Sequence, residues 1–290
     1  MSSIINESKH YGLTVDEFID QALNEDIGDG DHTSLSTIPL DSVGKANVKV
    51  KEKGIIAGLE IAQLIFAKVD PKIELKIYTT EGKQVDVGEI VIGAYGSVRS
   101  LLKAERLVLN CMQRMSGIAS LTKKYVTELE GTNTKVLDTR KTTPNFRQFE
   151  KLAIKIGGGE NHRFGLYDMI LIKDNHVDAA GGIKNAILRA NEYLSKLDKK
   201  LEIEIETRNL EEVNEVIALG KVDRIMLDNF SPTELQKAIT MIDGKFETEA
   251  SGGITLETIR SFAMTGVNYI SVGALTHSYK SLDISMKIVN

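Results

Sequence analysis

The chain of 290 residues has one cysteine, four prolines and no tryptophan. A single thiol, Cys111, forms neither an internal disulfide nor a cysteine-built metal cage. So little proline argues against long irregular or linker-like stretches. An excess of positive charge is also missing, since 36 Lys and Arg stand against 41 Asp and Glu, a net charge of −5. That is the wrong balance for a general nucleic-acid or anionic-membrane binder, which needs net basic surface. No apolar run approaches the roughly 20 residues of a membrane span, and the opening MSSIINESKHYGL lacks the basic-then-apolar layout of a secretory signal. The expectation is a cytoplasmic protein with neither nucleic acid nor membrane as partner. What is present, 42% hydrophobic and 27% charged residues, is ordinary globular composition with enough apolar material for a sizeable core.

The first third reads as a small α+β unit. Thr14 to Ile27 places Val15, Phe18, Ile19, Ala22 and Leu23 on one helical face, and Thr14 with Glu17 forms a capping box. Candidate strands Ala46–Lys51, Ile73–Tyr78 and Ile90–Val98 follow, with a helix at Leu59–Ala67. A long helical pattern from Leu101 to Glu130, interrupted at Ser116-Gly117, leads onward. From Lys135 the rhythm becomes short apolar runs alternating with helical stretches. The runs are Val136–Asp138, Met169–Lys173, Leu201–Glu206, Arg224–Leu227, Phe246–Ala250 and Tyr269–Val272. The helices include Phe146–Ile156, Ala180–Leu197, Leu210–Leu219, Pro232–Ile242 and Leu256–Thr265. Such alternation implies parallel strands joined by crossovers, and the close spacing suits a barrel or near-barrel better than an open sheet. The division expected is residues 1–115 for the first domain, with the tail 276–290 a candidate to join it, and 116–275 for the barrel.

In a parallel barrel, functional groups collect at the carboxyl ends of strands. Here those ends read Asp138-Thr139-Arg140-Lys141, Lys173-Asp174-Asn175-His176, Glu206-Thr207-Arg208, Asp228-Asn229, Ser251-Gly252-Gly253 and Gly273-Ala274. Strand ends are wet in any protein, but agreement of all six points to a site. Ser251-Gly252-Gly253 and Gly273-Ala274 each close a strand and open toward a helix, a pattern for holding phosphate on backbone amides; two tight turns would carry the same residues. Between Lys135 and His176 eight Lys and Arg face five Asp and Glu, a basic stretch in an acidic chain. This suits a small, multiply anionic ligand, with Arg140, His162, Arg163 and Lys173 converging on carboxylates. Lys151 and Lys155 read as a solvated helix face. Glu206 and Asp228 end successive strands at one level, as general acid/base groups, as partners of nearby Lys or Arg, or as ligands of Mg²⁺ shared with a substrate phosphate. The Mg²⁺ reading is the most economical beside phosphate loops.

Other signals lead nowhere. Asp26-Ile-Gly-Asp29-Gly-Asp31 lacks EF-hand ligand spacing and reads as a turn or cap. No strand precedes Gly157-Gly158-Gly159, so it is not a dinucleotide fingerprint. His10, His32 and His277 are isolated, and Cys111 reads as a core thiol.

Taken together, Asp138-Thr-Arg-Lys-Thr-Thr-Pro144, Asn161-His-Arg163, Asp168-Met-Ile-Leu-Ile-Lys-Asp-Asn-His176, Glu204-Ile-Glu206, Met226-Leu-Asp-Asn229, Glu249-Ala-Ser-Gly-Gly-Ile254 and Val272-Gly-Ala-Leu-Thr276 resemble the quinolinate phosphoribosyltransferase family. Glu105–Asn110 and Ser116–Ile118 extend the likeness over almost the whole chain. The resemblance implies an N-terminal α/β sandwich plus an incomplete parallel α/β barrel, the type II phosphoribosyltransferase architecture. It implies decarboxylating transfer between quinolinate and phosphoribosyl pyrophosphate with Mg²⁺, in NAD biosynthesis. Carried onto this chain, Arg140, His162, Arg163 and Lys173 would bind quinolinate, Thr139 would be a further substrate-binding residue, and the catalytic Lys141 would lie between the two substrates. Glu206 and Asp228 would face the ribose and its metal, while Ser251, Gly252, Gly253, Gly273 and Ala274 would hold phosphate. A homodimer is also implied, with Arg106 entering the partner's pocket and higher assembly left open. The rivals are a paralogue acting on another pyridine or azole acid, and a catalytically silent phosphate-binding protein.

Overall fold

The computed structural model describes residues 12–289. The opening segment and His10 lie outside the described residues. The chain divides into two compact units, the first holding 12–123, 142–158 and 277–289, the second 124–141 and 159–276. Among the described residues no helix is long and apolar enough to cross a membrane.

In the first unit, helix α1 (Val15–Ile27) starts at the expected capping box: the Thr14 hydroxyl accepts from Glu17 N at 3.2 Å while the Glu17 carboxylate accepts from Thr14 N at 2.8 Å. Asp31 caps α2 (His32–Thr37), accepting from Ser34 N at 3.0 Å, which accounts for the calcium-like acidic run as a helix start. The following elements are β1 (Val43–Val50), β2 (Gly54–Ile55), α3 (Leu59–Val69), β3 (Glu74–Ile77), β4 (Gln84–Val85), β5 (Ile90–Ser97) and α4 (Val98–Glu128). The last strand of the chain, β12 (Ile284–Val289), pairs antiparallel with β1 to complete a four-stranded sheet, β12-β1-β5-β3. Its ISMKIV alternation is the period-2 pattern of a half-buried strand.

Helix α4 runs without the break expected at Ser116-Gly117. Gly117 sits inside it because a Cβ there would collide with the Lys280 carbonyl, so the glycine serves close backbone approach, not termination. Ser116 faces the same interior, donating to Ala57 O at 3.1 Å and accepting from Ala57 N at 2.9 Å. Gly157 is likewise a packing glycine, since a Cβ would stand 2.6 Å from Ala119 O. It ends α5 (Arg147–Ile156), whose Phe149 joins Phe18 and Phe146 in an aromatic cluster with centroids 4.7–5.6 Å apart. Lys151, expected on a solvated face, is instead buried on the packed side of α5.

The second unit is built on six parallel strands: β6 (Lys135–Leu137), β7 (Ile170–Ile172), β8 (Ile203–Thr207), β9 (Arg224–Asp228), β10 (Glu247–Ser251) and β11 (Tyr269–Ser271). Their order, β7-β8-β9-β10-β11-β6, brings the last strand back onto the first while β6 and β7, neighbours in sequence, stay unpaired. That winding is a barrel with one gap, the incomplete barrel anticipated. Helices α6 (Asp174–Ala180), α7 (Ile183–Ser195), α8 (Leu210–Leu219), α9 (Pro232–Ile242), α10 (Ile259–Ala263) and α11 (Ala274–His277) connect or follow the strands. The helix expected at Ala180–Leu197 forms as α7, beginning three residues later because Gly181 and Gly182, with φ of 81° and 113°, separate it from the short α6 before it. A left-handed glycine is a common way to end a helix.

Candidate functional site

Parallel strands buried on both faces ordinarily read as continuous apolar runs. Strand β8, Ile-Glu-Ile-Glu-Thr, is buried throughout although every second residue is acidic. Glu204 and Glu249 are fully enclosed, and Glu206 is 7% exposed. The barrel interior therefore carries charge, and its polar layers rise toward the strand ends.

At the upper layer Lys173, just after β7, donates to Glu206 Oε2 at 3.0 Å. Asp228 ends β9 in register with Ser251 of β10. Burial and then the charge of Glu206 push the Asp228 carboxyl up, while Lys173 and hydrogen bonds from Ser251 and Asn229 oppose the shift. Two carboxylates thus face one another with a lysine at one end and a hydroxyl at the other. The next turn requires glycine: Gly252 has φ +97°, and a Cβ there would meet Asn229 N at 2.9 Å, whereas Gly253, at φ +61°, faces open space. Helix α10 begins only at Ile259, so its N-terminus is not at this turn as the sequence suggested. Gly273 does lead directly into α11, a helix of four residues. The exposed Lys141 is tied by its backbone, donating from N to the Thr139 hydroxyl at 3.1 Å and accepting at O from Thr276 at 2.9 Å. Thr139 and Thr276 thereby shape the loop that presents Lys141.

A second group forms where β6 ends. Asp138 is completely buried; its carboxylate accepts from Asn161 Nδ2 at 2.6 Å and from His162 N at 2.9 Å. This clamp sets Arg163 near Arg140. Burial, followed by the like charge of Arg140, holds the Arg163 pKa below its ordinary value. The His162 ring turns inward, its Nε2 2.9 Å from Glu204 and 3.5 Å from Glu249. Below, Arg224 donates to Glu249 at 3.2 Å and to Glu247 at 2.9 Å, with Tyr269 4.2 Å from its guanidinium.

The second unit therefore gathers Thr139, Arg140, Lys141, His162, Arg163, Lys173, Glu206, Asp228, Ser251, Gly252, Gly253, Gly273 and Ala274 on its strand ends and adjoining loops. Arg106 belongs to the first unit, exposed on α4 beside a cavity of about 300 Å³ lined also by Phe18, Asp26 and Arg114. Sequence reasoning gave no role to Asp138, Glu204, Arg224 or Glu249. For Glu204 and Glu249 the signal was acid at alternate positions of strands otherwise suited to burial.

Glu249 offers a test of this interior. Burial, and then the Glu204 charge, push its carboxyl up to about 8. The unfolded chain releases that proton near the ordinary glutamate pKa of about 4.3, so the native state binds more protons in between. Stability contributed here falls as pH rises through that window. Urea midpoints of Glu249→Gln should vary less between about pH 5 and about pH 8 than those of the parent; equal slopes would remove the buried proton from the account.

A gapped parallel barrel whose strand ends collect paired guanidiniums, paired carboxylates and a glycine turn defines a barrel protein built for a small polyanionic ligand. The family models extend this. The quinolinate phosphoribosyl transferase N-terminal domain matches residues 31–116 and the C-terminal domain 118–287. Quinolinate phosphoribosyltransferase [decarboxylating] 1b of Nicotiana tabacum is 44% identical, covering 99% of this chain and 86% of that protein. The crystal structure of NadC from Streptococcus pyogenes superposes with TM-score 0.90 at 41% identity, over 95% of this chain and 97% of the other. Nicotinate-nucleotide pyrophosphorylase from Francisella tularensis gives 0.89 at 38%, over 95% and 96%. The chain belongs to the quinolinate phosphoribosyl transferase family.

Proposed function

We propose that this chain joins quinolinate to phosphoribosyl pyrophosphate, giving nicotinate mononucleotide, pyrophosphate and CO₂, the decarboxylating transfer of NAD biosynthesis. The observation that carries the reading is the opposition of Arg140 and Arg163, each partly buried. Like charges in such a setting are costly, and a pyridine dicarboxylate relieves the cost by bidentate pairing.

The pyridine nitrogen has its lone pair available, so no activated nucleophile is required. Its bond to ribose C1 forms as the C1–oxygen bond to pyrophosphate breaks. Glu206 and Asp228 stabilise the positive charge on the sugar, and Lys141 and the Gly252–Gly253 turn receive the phosphate oxygens. The ring is then cationic. When the bond to the carboxylate beside the nitrogen breaks, its electron pair stays on the ring carbon, CO₂ leaves and that carbon takes a proton from solvent. The protein's part in this step is to hold the diacid in the geometry that lets CO₂ leave. Lys173, paired to Glu206, orients that carboxylate as well as adding positive charge toward the diacid.

Mg²⁺ fits Glu206 and Asp228, because two facing oxygen donors of which one raises the other's pKa suit a hard cation completed by substrate phosphate. When bound, it supplies charge that offsets the departing pyrophosphate. The same reading takes the protein as a cytoplasmic homodimer whose exposed Arg106 serves a second copy's site.

Incubation with quinolinate, phosphoribosyl pyrophosphate and Mg²⁺ should yield CO₂ and nicotinate mononucleotide in equal amounts. Nicotinate in place of quinolinate should give little product, for it lacks the second carboxylate. Comparable turnover of both acids would overturn the diacid assignment.

A further inference from the structure

Strands β6 and β7 are the two ends of the parallel sheet, and the barrel is open between them. Residues 160–169 lead from one side of that opening to the other. On the β6 side Glu160 adds a short parallel pairing to Leu137: its N donates to Val136 O at 2.9 Å, and its O accepts from Asp138 N at 3.2 Å. One residue further on, the contact passes from backbone to side chain. The completely buried Asp138 carboxylate accepts from Asn161 Nδ2 at 2.6 Å and from His162 N at 2.9 Å. On the β7 side the Arg163 guanidinium donates from Nη1 to Met169 O at 3.3 Å. The Asp168 carboxylate closes the turn between, accepting from Phe164 N at 2.6 Å and Gly165 N at 2.9 Å. Arg163 is thus held from both flanks of the opening.

The amide that Asp138 holds belongs to the residue before Arg163, and Asp138 itself lies two residues before Arg140. A single buried carboxylate therefore ties together the two stretches of backbone that carry the guanidiniums. Burial and the charge of Arg140 both act on Arg163. Like charges repel, so the backbone has to resist their separation until an anion lies between them. We infer that Asp138 is a positioning residue that determines specificity: it fixes the spacing of Arg140 and Arg163, and with it the preference for two carboxylates over one. A diacid needs both guanidiniums at a set separation, whereas a monoacid needs one. Aspartate suits the place because each of its oxygens accepts one of the two donors; asparagine offers one oxygen and alanine none. The inference rests on the reading of Arg140 and Arg163 as the diacid's partners and adds what spaces them.

The test compares quinolinate, nicotinate and phosphoribosyl pyrophosphate as ligands of the same variants, by calorimetry or competition. Asp138→Ala should raise the quinolinate dissociation constant roughly tenfold or more, the scale of effect expected when a positioned group shifts by about 1 Å. The constants for nicotinate and phosphoribosyl pyrophosphate should each move by no more than about twofold. Asp138→Asn should fall between the parent and alanine. Asn161→Ala removes one donor and leaves the His162 amide in place, and should raise the quinolinate constant about threefold. Added to Asp138→Ala it should have no further effect, because the two side chains act through one contact. Unchanged quinolinate affinity in Asp138→Ala would overturn the proposal. Equal losses for all three ligands would overturn it too, by showing a support of the whole fold. If Asp138→Ala does not fold, Asp138→Asn and Asn161→Ala decide the question by the same ratio of quinolinate to nicotinate affinity. Arg163→Ala separates the two levels. Should it lose quinolinate while the Asp138 and Asn161 variants keep it, the positioning role alone fails. Should it bind quinolinate as the parent does, the diacid assignment fails and this inference with it.

Discussion

Replacing Arg163 by alanine should raise the dissociation constant for quinolinate about 100-fold, the equivalent of losing about 2.7 kcal/mol of charge-assisted, forked hydrogen bonding. The guanidinium is partly desolvated already and pushed by Arg140, so part of the cost of preparing it for an anion is met in the fold. Phosphoribosyl pyrophosphate binding, read by calorimetry on the same variant, should move by no more than about twofold, as expected for separate contacts. Arg163→Lys keeps the charge and loses the planar fork, and should fall between the parent and alanine. Equal losses for both substrates would mean that Arg163 maintains the whole site and does not select the diacid.

Asp228→Asn should lower kcat by between about 100-fold and about 1000-fold, the range typical when one preorganised electrostatic contact to a charged transition state is removed. The substitution preserves shape and leaves an amide able to hydrogen-bond Ser251, so the loss reports the missing charge. Two further effects separate a metal role from a purely structural one. Removing the negative charge relieves the repulsion between Asp228 and Glu206. It also takes away one oxygen donor, so half-maximal activity should need more Mg²⁺. A metal titration identical to that of the parent would count against Asp228 as a ligand and leave it as an electrostatic group only.

The strand–helix rhythm after Lys135 was readable because each short apolar run was bounded by polar or glycine residues, and the rim residues followed from where those runs stopped. Glu206, Asp228 and Ser251 could be placed at strand ends without coordinates, since a parallel barrel carries its chemistry there. The glycines were harder. Gly117 looked like a helix interruption, and only the arrival of Lys280, far along the chain, shows that it makes room for another backbone. Lys151 illustrates the same limit: helical spacing predicts a solvated face, but packing on α5 encloses the side chain.

By itself the sequence determined the two kinds of organisation in this chain, the parallel character of the second, the cationic stretch from Arg140 to Lys173 and the acidic pair at strand ends. These follow from local periodicity and from residue chemistry, which do not depend on distant contacts. Tertiary structure decided which way the charged side chains face. His162 was legible as a cation at the rim, yet its ring turns inward to within 2.9 Å of Glu204 and 3.5 Å of Glu249, which come from two strands much further along the chain. The direction of a side chain is set by assembled neighbours, and a chain read residue by residue cannot express it.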